Sequence, residues 1–200
     1  SNDNCKIITN CGYGRKISKK IQLLSKFTSA QSTLCINNTS VVKFKKNKLI
    51  NKAYGSTINN SFKTFDVNRS EDKTNVTISA THNAYLDKFG YLHKRTIKFF
   101  KKNNDIIGND VLIKKNGNVN VDFSIRFHLY PGINTVQTIS GKSILLQANK
   151  SKSWMFSSEN QKINLEKSLF LGGNKVLSNQ CIVIYGNTKD EVINVEWKLK

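Results

Sequence analysis

Three histidines stand in distinctive surroundings, His82 in SATHNAY, His93 in GYLHKR and His128 in RFHLYPG, and Tyr85 follows the first of them by three residues. Imidazole and phenol both transfer protons, so His82 and Tyr85 presented by one loop would make a working pair in a cleft. A hydrogen-bonded interior histidine beside a packing tyrosine is the competing reading of the same residues. His93 and His128, helped by a nearby aspartate, could instead hold a zinc or calcium-type ion. The spacings between the histidines, eleven and thirty-five residues, match no local metal motif. Such a site would have to be gathered across strands.

Other chemistries lack their signatures. The chain has no phosphate-cradling glycine loop, no GxSxG elbow and no HExxH. The runs KFKKNK at 43–48 and KFFKK at 98–102 interleave lysine with phenylalanine. That pattern suits a nucleic-acid stacking strip. On a strand, however, the same alternation reads as Phe inward and Lys outward. Four cysteines, Cys5, Cys11, Cys35 and Cys181, form no CxxC pair. They read as buried thiols rather than as a zinc ribbon or a disulfide scaffold.

The elements that must position these groups are strands. Residues 5–10, 32–36, 41–44, 76–80, 91–100, 106–113, 119–129, 144–147, 153–156, 163–170 and 181–185 all read as extended. The last run, VINVEWKL at 192–199, alternates cleanly, setting Ile193, Val195, Trp197 and Leu199 against Val192, Asn194, Glu196 and Lys198. Turn signals at Asn116-Gly117-Asn118, Pro131-Gly132, Ser140-Gly141 and Gly172-Gly173-Asn174 separate them at sandwich-like intervals. One helical turn is expected within 18–27, and the polar, Asn-rich stretch 45–72 reads as a long surface excursion. The expectation is an all-β, two-sheet antiparallel β-sandwich, supersandwich-like, occupying residues 1–200 as one domain.

Composition narrows the partners. Thirty-two Lys and Arg against thirteen Asp and Glu give +19, a charge that attracts polyanions such as nucleic acids, anionic lipids or acidic polysaccharides. The richness in Lys and Asn also fits compositional drift in an AT-rich genome, so charge alone selects no partner. No stretch approaches the apolar length of a membrane span, and no signal peptide is visible. The opening directly on a strand suggests a fragment of a longer protein. A bacterial periplasm or cytoplasm would suit equally.

Taken in order, the motifs resemble the C-terminal sandwich of the heparinase II/III-like polysaccharide lyases. Asn10-Cys11-Gly12 stands at the end of a first strand, and TSAQSTL at 28–34 replaces that family's run ending in His-Ser-Thr-Leu. His82 to Tyr85, Phe89-Gly90, His93-Lys94-Arg95, Gly108-Asn109-Asp110 and RFHLYPG at 126–132 follow. Trp154, Leu165 to Ser168, Gly172-Gly173 and Trp197 to Leu199 complete the series.

The resemblance implies β-elimination on an acidic polysaccharide, with an N-terminal α/α toroid, absent here, supplying much of the active site. The reaction needs carboxylate neutralisation, a base, and an acid at the leaving oxygen. The resemblance implies Tyr85 as acid or base, His82 beside it, and Lys94, Arg95 and Arg126 as carboxylate or sulfate contacts. Gln31 occupies the position of the family's active-site histidine and cannot transfer a proton at neutral pH. Thr33 takes the place of a second, metal-ligating histidine, which weakens a family-type zinc site, and no cofactor is expected. A non-catalytic carbohydrate-binding module is the alternative. A nucleic-acid-binding β domain ranks lower, and burial of Phe99, Phe100 and Phe127 would count against it.

Overall fold

The computed structural model describes residues 5–44, 62–117, 120–149, 152–189 and 192–200. Period-two alternation builds two antiparallel sheets. The smaller has five strands. β7 (Asp122–Leu129) lies between β12 (Leu177–Asn187) and two short strands, β1 (Ile8–Thr9) and β2 (Leu34–Ile36), while β11 (Ile163–Phe170) borders β12. β1 pairs with the end of β7 at Leu129 and His128, and β2 pairs with its start at Phe123 to Ile125. The two therefore share one flank of β7 as an interrupted strand.

The larger sheet has eight strands. Its order is β3 (Thr64–Glu71), β4 (Asn75–His82), β5 (Tyr91–Phe100), β6 (Asp105–Lys114), β13 (Val192–Leu199), β10 (Lys152–Ser157), β9 (Ser143–Asn149) and β8 (Asn134–Gln137). The fold is the expected two-sheet sandwich. Its core is the inward face of both sheets, where Phe127, Phe156 and Trp197 meet at ring separations of 4.7–6.0 Å. As the alternation of β13 foretold, Val195, Trp197 and Leu199 are buried.

Two glycines mark tight joints. Gly108 lies opposite Trp197, and a Cβ there would sit 1.9 Å from the indole. Gly12, in the left-handed region at φ +86°, packs against the backbone of Gly172, so the Asn-Cys-Gly and Gly-Gly turns seen in the sequence meet.

Some expectations need correction. The stretch 62–72 is not a loop: β3 pairs with β4 across a register shift between Phe65 and Asn68. Residues 45–61 lie outside the described residues. Residues 41–44 do not form a strand, and β8 was not anticipated. The helical turn is present as α1 (Lys19–Leu24), capped by the Ser18 hydroxyl accepting from Ile21 N–H. A second short helix, α2 (Leu86–Phe89), ends on Gly90 at φ +80°.

Candidate functional site

The chain between Thr28 and Leu34, which carries Gln31, is held largely through its backbone, with the Thr28 and Ser32 hydroxyls accepting from Val41 and His128 N–H. His128 Nε2 donates to Ser29 O at 3.0 Å, and Cys11 N–H donates to Ala30 O at 2.8 Å. Asn10 Oδ1 accepts from Ser32 N–H at 2.8 Å. Arg95 Nη1 donates to Ser32 O at 2.7 Å, Arg126 N–H to Thr33 O at 3.1 Å, and the Tyr85 hydroxyl to Leu34 O at 2.8 Å. Four residues expected to do chemistry, Tyr85, Arg95, Arg126 and His128, thus converge on one seven-residue segment.

Behind Arg95 lies a fully buried carboxylate. Asp110 receives Arg95 Nε at 2.7 Å and Nη2 at 3.0 Å, His93 Nε2 at 2.7 Å and Trp197 Nε1 at 2.9 Å. Burial alone would raise the Asp110 carboxyl, but the Arg95 charge and the His93 and Arg95 hydrogen bonds outweigh it and hold it well below the usual range. The donors run one way: Ala84 N–H to His82 Nδ1 (3.2 Å), His82 Nε2–H to His93 Nδ1 (3.0 Å), His93 Nε2–H to Asp110. Burial, reinforced by the nearby His93 and Arg95, lowers His82 to about 4. The Arg95 guanidinium also lies 5.9 Å from the Phe127 ring centroid.

His128 occupies the other face of β7. Its Nδ1 accepts from the Ser168 hydroxyl at 2.9 Å, and Cys11 Sγ lies 3.4 Å from the same nitrogen. Burial lowers His128 and raises the Cys11 thiol; it pushes Cys181 up to about 12. These are inert interior groups.

Gln31 borders a cleft of about 590 Å³ that also exposes Thr9, Asn10, Tyr13, Ser25 and Lys26. The Gln31 amide donates to Ser25 O at 2.8 Å, which fixes its orientation. A second hollow of about 490 Å³ opens between the sheets, walled by Ile97, Phe99, Phe127, Trp154 and Trp197, with Arg95 at its polar side.

The geometry gives each of the expected residues its partners. Tyr85 is 1% exposed, its hydroxyl is engaged, and burial raises it far above the usual phenol range. Its hydroxyl acts as an interior strut to Leu34 O, while the residue also borders a small cleft with Phe62, Asn83 and Phe89. His82 rests 5.6 Å from Tyr85 ring to ring, but both of its nitrogens serve the donor chain. Lys94 and Arg95 are neighbours on a strand and project to opposite faces, so they cannot grip one substrate group together. Arg95 finds its carboxylate inside the fold, in Asp110. Arg126 turns to the Ser124 hydroxyl and to Asn38 Oδ1 at 3.2 Å.

His93 and His128 sit in different sheets with separate partners, and they form no common metal site. Among the described residues no group of three metal-ligating side chains gathers. Phe127 is buried in the core and Phe99 lines the inter-sheet hollow, which counts against a stacking strip for nucleic acid. The described residues hold no helix long and apolar enough to cross a membrane.

Sequence reasoning passed over Tyr13 and Lys26 as cleft residues. Tyr13 directly follows the Asn10-Cys11-Gly12 turn, and that adjacency was the available signal.

The site is thus a two-sheet sandwich with an Asn-Cys-Gly turn, a clamped 28–34 segment and a Gly-x-Asp strand under a terminal tryptophan. The family model described as heparinase II/III-like, C-terminal, matches residues 1–198. The chain therefore belongs to the heparinase II/III-like family as its C-terminal domain. Solved structures agree in fold. The heparan sulfate lyase HepC of Pedobacter heparinus superposes with a TM-score of 0.74 at 15% identity, covering 96% of this chain and 28% of that one. The heparinase III BT4657 gene product gives 0.68 at 11% identity, covering 96% and 27%. A further heparinase III structure gives 0.64 at 12% identity, with the same coverage of 96% and 27%. The chain thus spans under a third of the length of these relatives. No curated protein matches it.

Proposed function

We propose that residues 1–200 act as one domain, the C-terminal sandwich of a lyase that cleaves an acidic, uronic-acid polysaccharide by β-elimination. On this reading the Gln31 cleft forms one wall of the substrate site, and an α/α toroid supplies the facing wall. The observation that carries it is that Gln31, which we read as standing at the family's histidine position, lines a cleft of about 590 Å³. The solved relatives include heparan sulfate lyases and heparinases, so heparan sulfate leads the candidate substrates.

Gln31 can donate to and accept from a sugar or carboxylate but cannot exchange a proton at neutral pH. That favours a second reading, a carbohydrate-binding module for anionic glycans. Turnover of a panel of uronic-acid polysaccharides by the intact protein, followed by the ultraviolet absorbance of the unsaturated product, separates the two. Product formation supports the lyase. Salt-sensitive binding to the same polymers without product supports the binding module. Neither binding nor turnover would overturn both.

A further inference from the structure

The cleft beside Gln31 holds no imidazole among its described lining residues, but it contains a phenol. Tyr13 lines it and is 51% exposed, in contrast to the buried Tyr85. Among the described residues lining the cleft, only Tyr13 and Lys26 carry titratable side chains. We infer that Tyr13 is the proton-transfer residue of this cleft, acting on the glycosidic bond of a bound uronic-acid polysaccharide. The inference rests on the lyase reading above and adds a residue to it.

Its placement follows from α1. The Gln22 side-chain amide, on α1, donates to the Tyr13 hydroxyl oxygen. The phenol thus accepts there, and its own O–H is not spent on that partner. The same helix ends on Ser25, whose carbonyl fixes the Gln31 amide at 2.8 Å. Ser25 Oγ in turn donates to Gln22 O at 2.7 Å. One six-residue helix therefore orients both polar groups at the cleft. It is anchored from below, since Ile21 packs with Ile17 against Cys11, Ala30 and Leu171. Gly14 leaves room for the Ile21 side chain, because a Cβ there would lie 2.3 Å from its Cγ2.

The step is balanced within the cleft. The Tyr13 O–H first gives its proton to solvent water, and the resulting phenolate takes the proton on the carbon beside the uronate carboxyl. The C–H electron pair becomes the new C=C bond as the neighbouring C–O bond breaks, and the glycosidic oxygen leaves with that bond's pair. The proton now on Tyr13 passes to this oxygen, giving a free hydroxyl and restoring the phenolate. No oxidant, water or further reactant is consumed. The positive charge of Lys26 and the remaining amide N–H of Gln31 lie on the same wall, suited to the carboxylate as negative charge spreads onto it.

The test is Tyr13→Phe in the intact protein, assayed for unsaturated product and for polysaccharide binding, with Gln22→Ala as a positioning variant. A half-exposed ring changed by one oxygen leaves the fold intact, which circular dichroism checks. The inference expects kcat to fall at least about 100-fold in Tyr13→Phe with KM within about threefold. Gln22→Ala should lower kcat less and shift the pH profile of kcat. Turnover in Tyr13→Phe within about threefold of the unsubstituted protein overturns the inference and leaves the cleft reading standing. Polymer binding with no turnover in the unsubstituted protein also overturns it, because there is then no elimination for Tyr13 to serve. In that case the binding-module reading takes over.

Discussion

Arg95 donates to the carbonyl oxygen of Ser32 at 2.7 Å while holding Asp110 with its other nitrogens, so the eight-stranded sheet grips the residue next to Gln31. Removing the guanidinium leaves a fully buried carboxylate without its main counter-charge. Arg95→Ala should destabilise the domain by about 3–5 kcal/mol. Arg95→Lys should recover only part of that loss, because an ammonium cannot reproduce the two-pronged contact. Denaturant midpoints at constant slope measure both.

Tyr85→Phe removes one buried hydrogen bond, to Leu34 O, and keeps the ring that fills the core. The expected cost is about 1–2 kcal/mol in thermal unfolding. Polysaccharide affinity should stay unchanged where the protein remains folded. A loss of turnover at full stability would instead restore Tyr85 to the chemistry and displace Tyr13.

Acid should weaken the fold through His82. The group has an ordinary value of 6.5 and is lowered to about 4 in the folded chain. Between those values the unfolded chain binds a proton that the folded chain refuses, so stability falls as pH drops from about 6.5 to about 4. The loss from this group reaches about 3 kcal/mol at the bottom of the window. In His82→Gln the slope of stability against pH across the window should flatten.

Gly108→Ala should be severe for so small a change. The added methyl would meet the Trp197 indole at 1.9 Å, and that indole also donates to Asp110. Overpacking of this kind costs about 1–3 kcal/mol. Displacement of Trp197 should register as a change in tryptophan fluorescence and near-ultraviolet circular dichroism before global unfolding.

The sheets were legible wherever one face of a strand is wet and the other dry. β13 shows this best, its alternation marking Val195, Trp197 and Leu199 as interior residues. β3 escaped because all eight of its residues are exposed, which leaves no alternation to read. Its bulge, with Asp66 at φ 50°, further obscures the pattern. At the site, type and context singled out Tyr85, Arg95, Arg126 and His128. Their partners were not readable, because they are main-chain oxygens, a buried aspartate, or side chains such as Asn38 and Ser168 that are distant in sequence. Main-chain acceptors leave no mark on residue identity. Tyr13 was hidden for a related reason, since only the packing of α1 brings Gln22 to it.

The grip on 28–34 has an evolutionary consequence. Its anchors are mostly main-chain atoms, from Ser29 O to Leu34 O, and any amino acid supplies those. The Gln31 side chain adds a single bond, to Ser25 O. Position 31 is therefore an interchangeable fitting in a fixed mount, and another side chain there would ask little of the surrounding architecture. A scaffold built this way can keep its shape while the side chain it presents to the cleft is rewritten.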